Sequence, residues 1–172
     1  MTRRLRPALV VRTATRDDRD AFEKFSCSTG AWYEDEVEEF IRERALRQAL
    51  ATPDNYRLLV AFEEERMVAC GAHHPELLMR GDGVFMITTR LHHLAIATPD
   101  QGRVLDDGSR LSDSLLETLM ADAIETRTTG ILTGIVAQDN LRSIALCERV
   151  GLRSQVRYDF RHIRLTGLFE RT

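Results

Sequence analysis

Lysine is almost absent from this sequence, cysteine is scarce, and no long hydrophobic run occurs. Lys24 is the one lysine among 24 basic residues, so arginine carries nearly all the positive charge. Acidic residues number 27, and a net charge of −3 excludes a general nucleic-acid binder, which has a strong basic excess. The arginine excess has two interpretations: codon usage in a GC-rich genome, or a need to bind anionic groups.

Three cysteines without a CxxC pair predict reduced thiols in the cytoplasm rather than a secreted disulfide framework. No window approaches the roughly 18 apolar residues of a membrane span. The basic start of the chain has an apolar stretch over residues 8–11 only, too short for a signal-peptide core, so we expect neither a membrane nor a secretory segment. Without repeats or linkers, the 172 residues predict a single domain over residues 1–172.

Hydrophobic periodicity predicts a mixture of strands and helices. Strand patterns cover residues 9–12, 56–62, 66–74, 84–97, 131–137 and 157–165. Helical patterns cover residues 15–25, 34–50, 111–127 and 140–150. Thr15 and Asp18 approximate a capping box, and Gly151 followed by Leu152 predicts a Schellman ending. The order predicts an α/β (α+β) fold with a sheet covered on both faces and a crossover in the second half.

The segment QDNLRSIALCERVGLR, residues 138–153, resembles the second acyl-CoA motif of the GNAT (Gcn5-related) N-acetyltransferase superfamily. The matching positions are Asn140, Ser143, Gly151 and Leu152. The preceding LHHLAIATPD and the leucine-rich helix after it fit the family's order of elements along nearly the whole chain. The resemblance implies a mixed, mostly antiparallel sheet, acetyl-CoA as co-substrate, transfer to an amine acceptor, and a homodimer. It also implies that Asn140 and Ser143, and the strand end at Leu94, Ala95 and Ile96, hold the cofactor.

The start of the helix predicted from Leu111 suits a pyrophosphate, because free N–H groups and the helix dipole meet there. Gly108 allows a close backbone approach, while arginines before the helix add charge. The predicted cofactor-binding residues are Arg103, Gly108, Ser109, Arg110, Leu111 and Ser112. The family's usual Gln/Arg-x-x-Gly-x-Gly/Ala pattern is absent: alignment on the helix leucines gives Asp107, Arg110 and Ser112 at the defining positions. An alternative alignment uses Gln101, Gly102 and Gly108. An ordinary capped surface helix is the competing interpretation.

Two histidine pairs supply candidate bases, because an amine attacks only when neutral and histidine titrates in the right range. His92 and His93 lie just before the cofactor-facing strand end, and strand alternation predicts that at most one faces the acceptor. The pair formed by His73 and His74 raises the possibility of zinc. Since only one residue of each pair could converge, we expect no metal site. A hydrogen-bonded structural role is the alternative for each histidine.

The family's proton-donating tyrosine, four residues before the motif glycine, is replaced by Cys147. A thiol can donate a proton, although a free cysteine is often a small buried hydrophobe. Tyr158 or a water could serve instead. The resemblance implies an acceptor site in this region, where Trp32, Tyr33 and Glu34 are predicted to bind substrate, although the two aromatic residues could simply cap the core. The acidic run at residues 34–39 could attract a cationic amine, or could be a solvated helix start.

These observations leave two main hypotheses open. The first is an acyl-CoA-dependent N-acyltransferase, most simply an acetyltransferase. The alternative is a catalytically weak or inactive module that binds CoA or a partner protein, and a structural subunit of a dimer is a weaker third.

Overall fold

The computed structural model describes residues 9–79, 81–127 and 129–169, so the first eight residues of the predicted domain, where most of the basic start lies, fall outside it. The described residues form a seven-stranded sheet with helices, which confirms the predicted α/β class. Among these residues, no helix is both long enough and apolar enough to cross a bilayer.

The sheet is mixed and mostly antiparallel, as predicted. The strands are β1 (Leu9–Thr13), β2 (Arg57–Glu63), β3 (Arg66–Met79), β4 (Phe85–Ile96), β5 (Ile131–Ala137), β6 (Ser154–Arg157) and β7 (His162–Leu168). Their order across the sheet is β1-β2-β3-β4-β5-β7-β6. Every neighbouring pair is antiparallel except β4 and β5, which are parallel and therefore need the predicted crossover.

The helices are α1 (Arg19–Lys24), α2 (Trp32–Phe40), α3 (Leu46–Ala51), α4 (Leu111–Thr126) and α5 (Leu141–Arg149). A wider π turn at Ile41–Ala45 joins α2 to α3, so the single helix predicted over residues 34–50 is one continuous helical stretch. Short 3-10 turns precede α1 and follow β4.

Apolar residues cover both faces of the sheet, as the sequence predicts. On the front face, α1 to α3 pack Phe22, Ile41 and Ala45 among residues that include Tyr56 and Ala72. On the back face, a second cluster joins α4 and α5 to the sheet through Leu116, Leu119, Leu146, Leu91, Leu132 and Leu165. The site described below lies where these two layers flank β4 and β5.

Two local sequence signals are confirmed by hydrogen bonds. The Thr15 N–H donates to the Asp18 carboxylate at 2.7 Å, which starts the helical region before α1. After α5, Gly151 adopts a φ of +99°, and the Leu152 N–H donates to the Cys147 carbonyl at 2.9 Å. This is the bond that defines a Schellman ending.

The prediction of one final strand over residues 157–165 is wrong. A turn divides the segment into β6 and β7, because the Asp159 carboxylate accepts the N–H groups of Arg161 at 2.7 Å and His162 at 2.8 Å. Such a side-chain bond to nearby backbone favours a turn over a continuous strand. β3 also runs to Met79, beyond the end predicted at residue 74, and pairs with β4 to its start at Phe85.

Candidate functional site

The parallel strands β4 and β5 separate after a short contact. Their pairing covers Thr89–Leu91 on β4 and Leu132–Gly134 on β5, and in the described residues it goes no further. β4 bulges at the same level: Ala72 of β3 pairs with His92, but Cys70 pairs with Ala95, so β4 has one extra residue. A bulge bends its strand and stops the regular ladder. The result is a V-shaped opening between two central strands.

A cavity of about 230 Å³ occupies this opening. Its front wall includes Tyr33, Glu36, Val37, Arg90, His92, His93 and His162, and its back wall includes Leu116, Asn140, Ser143, Leu146, Cys147 and Leu152. Because residues from both sides of the sheet line it, the cavity passes between β4 and β5. A molecule lying there could reach a reaction partner from the opposite face.

Both histidines of β4 lie on the front face, so the prediction from strand alternation that they point to opposite faces is wrong. Their ring centroids are 3.5 Å apart, and Phe40 of α2 stacks on His93 at 4.1 Å. The physical reason is the bulge: His93 has a φ of +49°, which breaks the alternation of side chains along the strand. The sequence LHHLA carries no signal for this extra residue.

These histidines are held in the neutral form. Burial lowers the pKa of His92 to about 2, with further contributions from the charges of His93 and Arg90. Burial and then Arg90 lower the pKa of His93 to about 4. The Nδ1 of His93 is buried without a hydrogen-bond partner in the described residues. Groups with such low pKa values are poor proton acceptors near neutral pH.

His162 is a candidate base that the sequence analysis missed. It lies at the start of β7, paired with Ala137 of β5, and lines the cavity. Its Nδ1 lies 3.0 Å from both carboxylate oxygens of Asp159 and donates to them, which leaves Nε2 as the ring atom that can accept a proton. The spacing Asp-x-x-His at a turn is the sequence signal, and it was hidden by the prediction of a continuous strand.

Cys147 and Tyr158 occupy different places. Cys147 lines the back wall beside Gly134, and burial, with the charge of Glu148, raises the pKa of its thiol to about 11. It is therefore a protonated thiol. Tyr158 is nearly half exposed and lies over Arg164 on the front face rather than on the cavity wall.

The predicted acceptor residues form the first turn of α2. Tyr33 lines the cavity, and Trp32 packs edge-on against both Tyr33 and His162, with ring centroids 5.6 and 5.7 Å apart. Glu34 instead accepts hydrogen bonds from Thr29 and pairs with Arg142 at 2.9 Å.

The acidic run of α2 mainly anchors the preceding loop. Glu38 accepts the N–H groups of Cys27 and Ser28, both at 2.8 Å, and Asp35 accepts the Ser28 hydroxyl. Glu36 is the member of the run that lines the cavity in the described structure. The structure therefore divides the run between a structural function and one acidic position at the site.

The loop before α4 places its predicted residues unequally. Arg103 is held by Glu63 at 2.6 Å and by Asp100 at 3.1 Å, while Arg110 is exposed at the helix start. Gly108 has a φ of +84° at the tip of the loop. Ser109 donates from its N–H and hydroxyl to Asp107.

At the start of α4, the Leu111 N–H is already used by the Arg103 carbonyl. The first bond of the helix joins the Ser114 N–H to the Arg110 carbonyl, so the N–H groups of Ser112 and of the next residue precede the helical ladder. These N–H groups and the Arg110 charge are what the loop offers to an anion.

The remaining predicted cofactor residues belong to β4 and α5. Ala95 and Ile96 pair with β3, and Leu94 packs on the back face. Asn140 caps α5 by accepting the Ser143 N–H at 3.1 Å, and both residues lie on the cavity wall.

His73 lies apart from the cavity, fully buried between Asp122 at 2.7 Å and Arg127 at 3.2 Å. In the described part of the chain, no group of three or more potential ligands could hold a metal ion.

No family model and no curated protein sequence matches the chain. Solved structures match it over nearly its whole length. A PaiA N-acetyltransferase of Thermoplasma acidophilum in complex with coenzyme A has a TM-score of 0.68 at 11% identity, covering 94% of this chain and 99% of its own. A ribosomal-protein-alanine N-acetyltransferase of Brucella melitensis has a TM-score of 0.62 at 18% identity, covering 93% and 99%. The chain has the GNAT fold.

A GNAT-family acetyltransferase of Elizabethkingia anophelis with acetyl-CoA bound also matches, with a TM-score of 0.58 at 15% identity, covering 94% of this chain and 98% of its own. The resemblance that the α5 motif indicates is thereby confirmed for the fold. Within this GNAT fold, the assignments of Cys147, Tyr158 and the loop before α4 stay predictions.

Proposed function

We propose that the chain is an acyl-CoA-dependent N-acyltransferase that transfers an acetyl group from acetyl-CoA to an amine. The observation that carries this proposal is the cavity between the diverging strands β4 and β5, to whose lining α4 contributes Leu116. A pantetheine arm is long, narrow and amide-bearing, so strand edges without partners suit it. The similarity to structures that contain coenzyme A or acetyl-CoA supports the proposal.

We assign the binding of the cofactor to residues of α4, β4 and α5. At the start of α4, the Ser112 N–H and the charge of Arg110 would hold the pyrophosphate. The β4 backbone beyond the bulge, near Ile96, would donate to the thioester carbonyl, as in an oxyanion hole. Asn140 and Ser143 would line the path of the arm.

Two proton movements remain. The amine nitrogen forms a bond to the acyl carbon, the carbon–sulfur bond breaks, one proton leaves the amine, and the departing thiolate takes one. We assign the first step to His162, because Asp159 orients its Nδ1 and leaves Nε2 as acceptor. The protonated thiol of Cys147, on the back wall, or a water would donate the second.

A module that binds CoA without turnover is the second candidate. The replacement of the usual tyrosine by Cys147, the lowered pKa values of His92 and His93, and the engagement of the Leu111 N–H favour it. A cytoplasmic location and a homodimer also stay predictions of the sequence.

Thermal unfolding with acetyl-CoA tests binding, and thiol release with a panel of amines tests turnover. At a concentration 100 times Kd, binding to the folded state adds about 2.7 kcal/mol. Arg110→Glu should weaken acetyl-CoA binding, whereas Arg47→Glu on α3 should not. Stabilisation without thiol release would favour the second candidate. No stabilisation at millimolar acetyl-CoA would refute both.

A further inference from the structure

Two arginines and one glutamate meet on the front face, beside the cavity. Arg164 of β7 donates from Nη2 to Glu76 Oε1 at 3.1 Å, and Arg90 Nη1 lies 3.6 Å from the same oxygen. The Thr133 hydroxyl donates to the other oxygen of Glu76 at 3.3 Å. Two guanidinium groups thus share one carboxylate, which leaves one positive charge in excess.

Arg90 lacks the acceptors that a guanidinium of this burial normally has. It lines the cavity, and its side chain is 21% exposed. Its ion pair with Glu76 is longer than a hydrogen bond, and within the described residues none of its guanidinium N–H groups donates to an acceptor. The Nε atoms of Arg90 and Arg164 are buried without partners. A buried donor left unsatisfied is costly, so an acceptor reaching this cluster would be stabilising.

Tyr158, predicted as a proton donor, lies on this cluster. The Tyr158 ring centroid is 5.0 Å from the Arg164 guanidinium carbon and 5.9 Å from that of Arg90. Such cation–π contacts orient the guanidinium groups without neutralising them. Tyr158 is therefore a positioning residue for the two arginines.

Elsewhere on the same wall, the cavity has an acidic side chain and a proton-accepting ring. Glu36 and the imidazole of His162, whose Nε2 has no hydrogen-bond partner among the described residues, line the same cavity as Arg90. An amine can therefore lie near Glu36 and His162 while the arginine cluster receives an anion. A guanidinium matches the two oxygens of a carboxylate with paired hydrogen bonds, which an ammonium group does not offer.

We infer that the acceptor is a small amino carboxylate, such as an α-amino acid, whose carboxylate binds Arg90. Arg164 and Tyr158 hold that guanidinium in place, and the amine lies toward His162. This inference rests on the proposed function and specifies its substrate class. A purely cationic acceptor would be repelled by the excess positive charge of the cluster.

The test compares each of the twenty amino acids with its carboxamide as acceptor in acetyl-CoA-dependent thiol release. The carboxamide keeps the amine and removes the negative charge. For the amino acids that are used, we expect kcat/KM to exceed that of the amide by about 30-fold, equivalent to about 2 kcal/mol at 1.4 kcal/mol per factor of ten. Arg90→Met should abolish this preference through KM for the acid, leaving the amide unchanged.

Two further variants keep the result interpretable. Arg90→Lys retains the charge without the planar fork, and should give an intermediate preference if Arg90→Met does not fold. Arg47 on α3 donates only to the Glu43 carbonyl in the described structure. Arg47→Met should therefore behave as wild type. Equal use of acid and amide by the wild type, or an unchanged preference in Arg90→Met, overturns the inference and leaves the transferase standing. Absence of stabilisation by acetyl-CoA overturns the proposed function itself.

Discussion

Asp122 of α4 connects the helix to two strands through charged hydrogen bonds, and its replacement gives the most quantitative prediction. Arg57 of β2 donates from Nε at 2.6 Å and from Nη2 at 2.8 Å, one to each carboxylate oxygen. His73 of β3, fully buried, contacts Asp122 through Nε2 at 2.7 Å. Arg127 donates to the other ring nitrogen of His73, which fixes the neutral tautomer with its proton toward Asp122.

The size of the effect follows from the pKa of Asp122. Burial raises this pKa, but the hydrogen bonds from His73 and Arg57 outweigh it and lower the pKa from 3.8 to about 2. This lowering of the Asp122 pKa corresponds to about 2 kcal/mol of stability. Because the folded pKa is lowered, this stability is fully present above pH ~4 and is lost as pH falls from about 4 to about 2.

Asp122→Asn should therefore reduce the free energy of unfolding by about 2 kcal/mol at pH 7, and by only about half as much at pH 3. Urea unfolding followed by circular dichroism at both pH values measures the difference. Asp20→Asn, exposed on α1, is the matched control and should have little effect at either pH. An Asp122→Asn difference that does not change between pH 7 and pH 3 would refute the assignment to the ionised carboxylate.

Two further predictions concern local structure. Gly151→Ala places a side chain at a φ of +99° and should cost about 1 kcal/mol in thermal unfolding, whereas Gly81→Ala, in open space, should cost nothing measurable; equal Tm values for both would contradict the Schellman argument. Glu38→Gln should weaken the bonds to the Cys27 and Ser28 N–H groups, so their hydrogen exchange should accelerate while that of α4 is unchanged. Unaltered protection in this loop would show that Glu38 does not hold it.

The second half of the fold could be predicted closely because its signals are local. β5 begins and ends where the apolar run of residues 131–137 does. α5 lies between Asn140, whose side chain caps it, and Gly151, whose left-handed backbone ends it. Each signal depends on residues within a few positions of one another, so a single sequence suffices to interpret it.

The site itself depends on contacts between distant positions. Arg103 is predicted to bind the cofactor from the loop before α4, and the sequence gives no sign that it pairs with Glu63, forty residues away. Arg164 and Glu76 are 88 residues apart, and nothing in either segment indicates the pairing. The sequence reveals where a charged residue stands in the chain but not which distant residue neutralises it, so the arginine cluster could not be predicted.

The bulge in β4 links these observations, because one extra residue changes three features of the site. It ends the pairing of β4 with β5, which opens the cavity. It places His92 and His93 on the same face, where burial keeps both neutral. Neutral rings add no positive charge beside Arg90, whose ion-pair partner Glu76 is shared with a second arginine. With a regular β4, the cavity would close and one histidine would point to the other face. The segment LHHLA would then line no cavity.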